Sequence, residues 1–405
     1  MNNQIFLKRV VLNNYKSIKE CSVKLGPLTF LVGQNGAGKS NFLDALRMVS
    51  DSLTTSLEHA LRDRGGINEV RRSSSGHPTH FGIRLEWRLN NDESKGMFAF
   101  RVGSQKKGGV EIQQEECWVS DKSSSGAHYY KVTNGSVSTN IGIAPPASSD
   151  RLYLVAAAGL PVFRPIYNAL SHMGFYNFNP DEIRDVQPPD PGEILKRDGS
   201  NLASVLSFLQ KGDTSLYYRI VEFLSKVVPG IEGVEIKHMG KKETIEFRQL
   251  VGSNEDPWRF LAENMSDGTL RALGVLTALF QTSIDKGRKI SFVGIEEPEV
   301  ALHPGAAGIL RDALCSASMA TQTAVTSHSP DLLDDKDISD ECILAVISQN
   351  GETKIGPIDA TGRSAIKEGL YTAGELLKLN QLEPDEDAVN NIPAEQLDLF
   401  AEYKT

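Results

Sequence analysis

LTFLVGQNGAGKSNFLDAL, residues 28–46, decides the fold of this 405-residue chain. The apolar run LTFLV is typical of a strand buried on both faces, and the residues after the glycines have helical apolar spacing. Between them stands the pattern GxxxxGK[S/T], in which bare glycine backbone lets N–H groups approach phosphate oxygens. The sequence therefore predicts a nucleotide phosphate loop formed by Gly33, Asn35, Gly36, Gly38, Lys39, Ser40 and Asn41.

Two side chains of this loop have distinct predicted roles. Lys39 is expected to reach the β- and γ-phosphates, and the hydroxyl of Ser40 is expected to hold Mg²⁺. The helix that follows carries apolar residues at helical spacing up to RDRGG, which predicts one long helix packed on the sheet. These residues are Phe42, Leu46, Val49, Leu53, Leu57 and Leu61.

Composition limits the classes of protein that fit. No apolar run reaches the roughly 18 residues of a membrane span, and the N-terminus lacks a long apolar signal, so we expect a cytoplasmic protein with no membrane contact. The four cysteines are isolated and are expected to be reduced thiols. A net charge of −9 argues against whole-surface attraction to nucleic acid, although a local basic groove stays compatible with it.

The chain divides by pattern into four segments. The expected fold class is α/β: a P-loop head of mixed sheet and flanking helices over residues 1–64 and 250–360, with compact insertions. Alternation in stretches such as FGIRLEWRL predicts an antiparallel β layer over residues 65–150, and residues 151–249 read as a helical and β insertion. Residues 361–405 form a C-terminal segment whose acidic, proline-marked end is expected to be flexible.

A second motif, FVGIEEPEVALHP, places two carboxylates after an apolar strand. Ligands of open α/β sheets bind at this end of the strands. Glu296 is predicted to ligate Mg²⁺, and Glu297 is predicted to orient and polarise the water that attacks the γ-phosphate. Glu299 is expected to be only a residue of a helix start.

Four motifs in this order resemble one family. GQNGAGKSN, NMSDGTLRALGVLTALF, EEPEVALHP and TSHSP are similar to the ABC-type ATPase heads of the RecF, SMC and OLD group. The chain most resembles the short ATPases of that group, which lack a TOPRIM nuclease domain. The Glu-Glu pair and SDGT, where transporters have Asp-Glu and SGGQ, also resemble the RecF and OLD branch. The resemblance implies an ATP hydrolase with ATP and Mg²⁺ as cofactors.

The resemblance also assigns residues far from the phosphate loop. It implies that Ser266, Asp267 and Gly268 form a signature loop that binds the γ-phosphate held by a second copy, so that a homodimer shares two ATP sites. His328 matches the histidine that senses the γ-phosphate, and Leu302 with His303 matches the dimer-contact loop. Ser266 could instead serve only as a helix N-cap.

Two further positions complete the nucleotide site by resemblance. Lys16, in the segment NYKS, matches a basic residue that approaches the phosphates. Gln187 is a candidate for the glutamine that completes Mg²⁺ coordination, and Asn177 and Asn179 compete with it.

The C-terminal segment contains a recognition-like peptide. Residues 396–400 read QLDLF, which resembles the peptide with which bacterial proteins bind the sliding clamp. Leu399 and Phe400 would then enter an apolar pocket of the clamp and Gln396 would meet polar groups at its rim, with Leu397 part of the same peptide. The alternative is an amphipathic turn that docks back on the head.

Three functions compete at this stage. The first is an ATP-driven switch associated with DNA in replication, repair or foreign-DNA defence. The second is the ATPase subunit of an antiphage or toxin-like complex with a nuclease on a separate chain, since no TOPRIM pattern is recognised here. A transporter subunit ranks last. Basic residues that could contact DNA are Arg62, Arg64, Arg71, Arg72, Lys106 and Lys107.

Overall fold

The computed structural model describes residues 5–73, 78–89, 94–104, 109–121, 126–142, 144–252, 256–281 and 290–401. The chain forms two compact units: residues 1–173, 339–370 and 379–405 make the first, and residues 174–338 and 371–378 make the second. This division differs from the predicted segments because the antiparallel layer pairs with the N-terminal strands instead of folding as a separate insertion.

The strands account for most of the predicted β pattern. In chain order they are β1 (Ile5–Tyr15), β2 (Ile18–Lys24), β3 (Leu28–Val32), β4 (His80–Leu89), β5 (Ser94–Ser104), β6 (Val110–Asp121), β7 (Ala127–Thr133), β8 (Ser136–Thr139), β9 (Met173–Tyr176), β10 (Ile231–Met239), β11 (Lys242–Gln249), β12 (Trp258–Leu261), β13 (Phe292–Glu296), β14 (Gln322–Ser327), β15 (Ile343–Gln349) and β16 (Glu352–Pro357).

The helices lie between these strands and after the last one. They are α1 (Lys39–Thr54), α2 (Leu57–Arg62), α3 (Ile67–Val70), α4 (Leu154–Ala157), α5 (Arg164–Ser171), α6 (Pro180–Arg184), α7 (Leu202–Gly212), α8 (Thr214–Val227), α9 (Asp267–Phe280), α10 (Ala307–Ser318), α11 (Ala360–Lys367), α12 (Ala373–Lys378), α13 (Glu386–Asn390) and α14 (Ala394–Leu397). Among the described residues, no helix has the length and apolar character needed to cross a membrane.

An antiparallel sheet dominates the first unit, with the strand order β2-β1-β4-β5-β6-β7-β8. The alternation in β4 explains its packing, because Phe81, Ile83, Leu85, Trp87 and Leu89 are all buried on one face. In the same unit, β3 pairs in parallel with β15, which pairs antiparallel with β16. The wholly buried β3 delivers the phosphate loop to α1.

The predicted long helix after this loop is broken in two. All six apolar residues of the predicted stripe are buried, but α1 ends at Thr54 and α2 starts at Leu57. The hydroxyls of Thr54 and Thr55 donate to backbone carbonyls of the preceding turn, and Ser56 caps α2 by accepting from the His59 N–H at 3.2 Å. Consecutive hydroxyl side chains therefore compete with the helical backbone and turn the chain.

The second unit contains the other strands that position the candidate site. β13 and β14 are parallel neighbours, as their apolar runs predict, and β9 lies beside β13. β10 and β11 form an antiparallel hairpin, with β12 added at its edge. Helices α8, α9 and α10 pack on one another, and the buried face of α9 includes Leu270, Leu273, Leu276 and Leu279.

The C-terminal segment differs from the prediction of a flexible tail. It forms α13 and α14 and docks on the antiparallel sheet of the first unit, with Leu399 fully buried. The Arg84 guanidinium donates to the carbonyls of Asp398 and Ala401 at 3.2 and 3.0 Å. The ring of Phe400 lies 5.2 Å from the Arg101 guanidinium. The structure thus has the alternative named above, a segment docked on its own chain, and not a free clamp-binding peptide.

Candidate nucleotide site

The glycines of the phosphate loop allow close packing at two positions and leave bare backbone at a third. A Cβ at Gly33 would lie 1.9 Å from the Val346 carbonyl oxygen, and one at Gly38 would lie 2.0 Å from Thr353 Oγ1. Gly36 has a φ of +78°, and a Cβ there would project into open space. The first two glycines therefore let the loop pack closely on β15 and β16, while Gly36 leaves bare backbone where a phosphate group could approach.

Lys39 and the start of α1 provide positive charge at this loop. Lys39 is buried, and its Nζ donates to the carbonyls of Gly33 and Gln34 at 2.8 and 3.0 Å. The N-cap Gly38 offers no capping side chain, and the first turn of α1 has no acidic residue, so the positive end of the helix dipole is available to an anion. Ser40 and Asn35 are exposed beside it.

A hydroxyl relay holds the loop from behind. The Asn41 amide donates to Ser17 Oγ at 2.7 Å, Ser17 Oγ lies 2.7 Å from Thr353 Oγ1, and Thr353 Oγ1 donates to the Ala37 carbonyl at 2.9 Å. This relay joins the β1–β2 turn, β16 and the phosphate loop. Fixing the loop in advance lowers the ordering cost of binding a phosphate group.

Lys16 lies at the side of α1, one turn beyond its start. Its Nζ is 2.6 Å from Asp44, which also accepts from the Tyr15 hydroxyl at 2.8 Å and the Arg64 guanidinium at 3.0 Å. Burial alone would raise the pKa of Asp44, but the charges of Arg64 and Lys16 outweigh it and lower that pKa. A phosphate contact from Lys16 stays a prediction, and it requires this lysine to leave Asp44.

The acidic pair of the second unit has an unusual backbone. Glu297 has a φ of +43° and its N–H donates to the Thr326 carbonyl at 3.0 Å. This left-handed conformation costs a side-chain-bearing residue about 1–3 kcal/mol and is concentrated at functional sites. Its carboxylate lies 3.2 Å from Nδ1 of His328, at the end of the neighbouring strand. The structure thus brings Glu297, predicted to orient the attacking water, next to His328, which matches the histidine that senses the γ-phosphate.

Glu296 meets a residue that the sequence did not single out. Its carboxylate pairs with the Arg197 guanidinium at 2.7 Å. Among the described residues there is no group of three His, Cys, Asp or Glu side chains that could hold a metal. Hydroxyl and carboxylate oxygens, such as those of Ser40 and of Glu296, are ligand types that suit Mg²⁺, and coordination by either residue stays a prediction.

The predicted signature loop caps α9. Ser266 is the N-cap residue, and its Oγ accepts from the Thr269 N–H at 3.2 Å, as the simpler alternative predicted. Asp267 is exposed and pairs with Arg184 on α6. A Cβ at Gly268 would lie 2.3 Å from the carbonyl oxygen of Ala301, so this glycine lets the loop pack against the turn after Glu297.

The predicted dimer-contact residues lie on that same turn. Ala301 has a φ of +67°, the Leu302 N–H donates to the Glu299 carbonyl at 3.0 Å, and both Leu302 and His303 carry accessible surface. His303 Nδ1 accepts from the Gly305 N–H at 3.1 Å and caps the turn Pro304–Ala306.

The three candidates for completing Mg²⁺ coordination have different surroundings. Gln187 is buried, with its amide donating to the carbonyls of Glu182 and Gly199 and accepting from the Ala203 N–H at 3.1 Å. Coordination by Gln187 would break these bonds, so the geometry favours a structural role for it. Asn179 caps α6, whereas Asn177 is exposed directly after β9, the strand beside β13.

The basic residues proposed to contact DNA have mostly internal partners. Arg64 is buried between Asp44 and Asp51, and Arg72 lies 3.2 Å from Glu352. Arg62 contacts His59, and Arg71 contacts Ser104. Lys106 and Lys107 lie outside the described residues. Arg64 and Arg72 therefore pair with carboxylates of this chain, and contact of the basic residues with DNA stays a prediction.

Two family models match the chain. The model described as "AAA ATPase domain" matches residues 6–121, and the one described as "AAA domain, putative AbiEii toxin, Type IV TA system" matches residues 159–334. The first includes the phosphate loop, and the second includes the signature loop, the acidic pair and His328.

Curated relatives and solved structures add to these matches. The Old nuclease of Escherichia phage P2 is 24% identical over 364 residues, which cover 82% of this chain and 57% of that protein. The OLD nuclease of Thermus scotoductus is 41% identical over 51 residues, or 13% of this chain and 10% of that protein. The chain thus matches little more than half of the phage protein and a small part of the other.

Solved structures that match the chain include SMC heads. A SmcHead bound to the C-winged helix domain of ScpA has a TM-score of 0.57 at 14% identity, covering 88% of this chain and 99% of that one. An Smc head with an extended coiled coil from Pyrococcus furiosus has a TM-score of 0.55 at 12% identity, covering 90% and 99%. These likenesses confirm the predicted α/β head fold. The chain is therefore similar in sequence to OLD-type nucleases and has the α/β fold seen in SMC heads.

Proposed function

We propose that this protein is an Mg²⁺-dependent ATP hydrolase whose two copies close on ATP and separate after hydrolysis. The observation that carries the proposal is the Glu297–His328 pair: the two side chains lie 3.2 Å apart, and Glu297 has a left-handed backbone conformation. The bare phosphate loop with a buried Lys39 supports the same reading. The strained backbone of Glu297 lowers the stability of the fold, and such strain is concentrated at functional sites.

Each residue has a chemical role in this proposal. Lys39 leaves the carbonyls of Gly33 and Gln34 to bind the β- and γ-phosphates, while Ser40 and Glu296 hold Mg²⁺, which neutralises phosphate charge. Glu297 orients the attacking water and accepts its proton. His328 contacts the γ-phosphate and keeps the Glu297 carboxylate in place.

The signature loop acts on the nucleotide of the partner copy. Ser266 and Gly268 begin α9, so their backbone N–H groups add the positive end of a helix dipole to the γ-phosphate. Asp267 would repel that phosphate, and its pairing with Arg184 offsets the repulsion. Since Gly268 packs on the carbonyl of Ala301, closure would also place Leu302 and His303 near the partner.

Phosphate release from ATP tests the hydrolase. We expect Lys39→Ala to lose both nucleotide binding and hydrolysis, whereas Glu297→Gln should keep binding and lose at least 100-fold in kcat. In light scattering with Mg-ATP, the Glu297→Gln protein should run as a dimer. Unchanged turnover in both variants would contradict the proposal, and a monomeric Glu297→Gln protein would contradict the closure step alone.

The biological setting belongs to the same proposal. An SMC-type head fold and nucleases of the OLD type among the relatives favour a DNA-associated role, with defence against phage as the second candidate because a matching family model is described by a toxin system. Duplex, nicked or single-stranded DNA should raise the ATPase rate in the first case. Capture of a separate nuclease by the Glu297→Gln protein, without stimulation by DNA, would favour the second.

A further inference from the structure

Glu299 is a buried acid whose place in the site the sequence did not foresee. It lies on the turn after β13, not in the first turn of a helix, because α10 begins only at Ala307. Only 9% of the residue is exposed. Its Oε1 accepts a hydrogen bond from Ser327 Oγ at 2.6 Å. A buried carboxylate is costly unless such partners compensate it.

Ser327 carries this contact to the turn that holds His328. It is the last residue of β14 and is fully buried. Its Oγ donates to Glu299 and accepts from the Ser329 N–H at 3.0 Å. The hydroxyl thus links Glu299 to the two residues that flank His328. Losing the Glu299 oxygen would free the hydroxyl to rotate and loosen this turn.

The turn sets the distance within the hydrolytic pair. His328 Nδ1 lies 3.2 Å from Glu297 Oε1, and each side chain is only about a third exposed, at 37% and 36%. The backbone of Glu297 is separately fixed by its N–H bond to the Thr326 carbonyl. A movement of the Ser327–Ser329 segment would therefore move His328 and leave Glu297 behind.

We propose that Glu299 is a positioning residue, which holds His328 against Glu297 through the Ser327 hydroxyl without touching ATP. This inference rests on the proposed ATP hydrolysis. The electrostatic surroundings agree with it: burial raises the pKa of Glu299, while the Ser327 hydroxyl and the charge and peptide N–H of His328 favour its ionised form.

The kinetic consequence is confined to turnover. A displacement of about 1 Å at a reacting group can cost on the order of 100-fold in rate. Nucleotide binding should be spared, because the proposed mechanism gives Glu299 no contact with ATP. We therefore expect Glu299→Ala to lower kcat by roughly 10- to 100-fold and to change KM by less than about twofold.

Four variants of the full chain test the positioning role. Glu299→Gln keeps an acceptor for Ser327 and should stay within about threefold of the wild-type kcat. Ser327→Ala removes little volume and should match Glu299→Ala, and the double variant should be no worse than either single one, because both lose the same bond. Asp337→Ala, at an exposed acid of the same unit, is the matched control and should behave as wild type.

A second readout needs no nucleotide. In protein labelled at the histidine rings, the His328 resonance, assigned by its loss in His328→Ala, should move in Glu299→Ala and Ser327→Ala but not in Asp337→Ala. Additive kinetic losses, a raised KM at constant kcat, or an unmoved resonance would overturn the inference. Normal ATP hydrolysis by Glu297→Gln would contradict the proposed function. Normal hydrolysis by Glu299→Ala and Ser327→Ala, with Glu297→Gln inactive, would contradict the positioning role alone.

Discussion

Glu115 is a buried carboxylate whose hydrogen bonds join two elements of the first unit. It lies on β6, fully buried, and accepts hydrogen bonds from the Tyr130 hydroxyl at 2.7 Å and from the N–H groups of Tyr153 and Leu154 at 2.6 and 2.8 Å. Burial raises the pKa of Glu115 from 4.5 to about 7, although these three donors lower it in part. The carboxylate thus links the sheet to α4 at an electrostatic cost.

The raised pKa of Glu115 predicts a pH dependence. Because the folded chain holds the proton more tightly than the unfolded chain, the stabilising contribution is complete below about pH 4.5 and is lost as the pH rises through 7. Relative to Glu115→Gln, the wild-type free energy of unfolding should fall by roughly 3 kcal/mol between pH 4.5 and 7.5. Denaturant titrations across this range measure it, with half-exposed Glu111→Gln as the control. A difference that is constant with pH would contradict the assignment.

At the same scale, the site residues proposed from the sequence are those that belong to a local motif. Gly36, Lys39 and Glu297 could be predicted because their motif fixes the backbone around them. Thr353 and Arg197 could not, since they reach the phosphate loop and Glu296 from positions more than 90 residues away in sequence, and a single threonine or arginine carries no pattern.

The C-terminal segment docks where the side chain of Leu399 closely approaches the backbone of β4. Leu399 lies over Gly82, where a Cβ would come within 2.1 Å of its Cδ1, while Arg84, two residues along, binds the neighbouring carbonyls. The face of β4 that carries Gly82 and Arg84 is therefore covered by this segment and not by solvent. The tail looked flexible in sequence because its own composition is acidic and proline-marked, and its receptor lies some 300 residues earlier.

Removing the Leu399 side chain should release this element. Leu399→Ala loses a fully buried leucine and should weaken docking by about 2–4 kcal/mol. Limited proteolysis should then cut within residues 379–401 much faster than in wild type, with the rest of the first unit intact. Gln396→Ala, at an exposed position of the same segment, should leave the cleavage rate unchanged. Equal cleavage of wild type and Leu399→Ala would mean that the segment is not held by this contact.

At the scale of the whole molecule, the proposed function draws on motifs in different parts of the chain. The phosphate loop belongs to the first unit, and the signature loop, the acidic pair and His328 belong to the second. The order of these motifs predicted the head fold, which the SMC heads confirm. The path of the chain between the units could not be predicted, because strand pairing over hundreds of residues leaves no periodic signal.

Mixing two inactive variants tests the shared-site claim most directly. Lys39→Ala spoils the phosphate loop and keeps the signature; Ser266→Arg keeps the loop and places bulk at the exposed start of α9, at about 1 kcal/mol for the lost cap. If two copies share each ATP, random pairing makes half the dimers mixed, each with one intact site. The mixture should recover about a quarter of the wild-type rate of ATP hydrolysis.

The control pairs Lys39→Ala with a chain that carries both substitutions, a mixture in which no intact site can form. We predict activity from the mixed single variants and none from this control. A mixture of single variants that stays as inactive as its parts, although both chains are folded and exchange freely, would contradict the claim that ATP is bound between two copies.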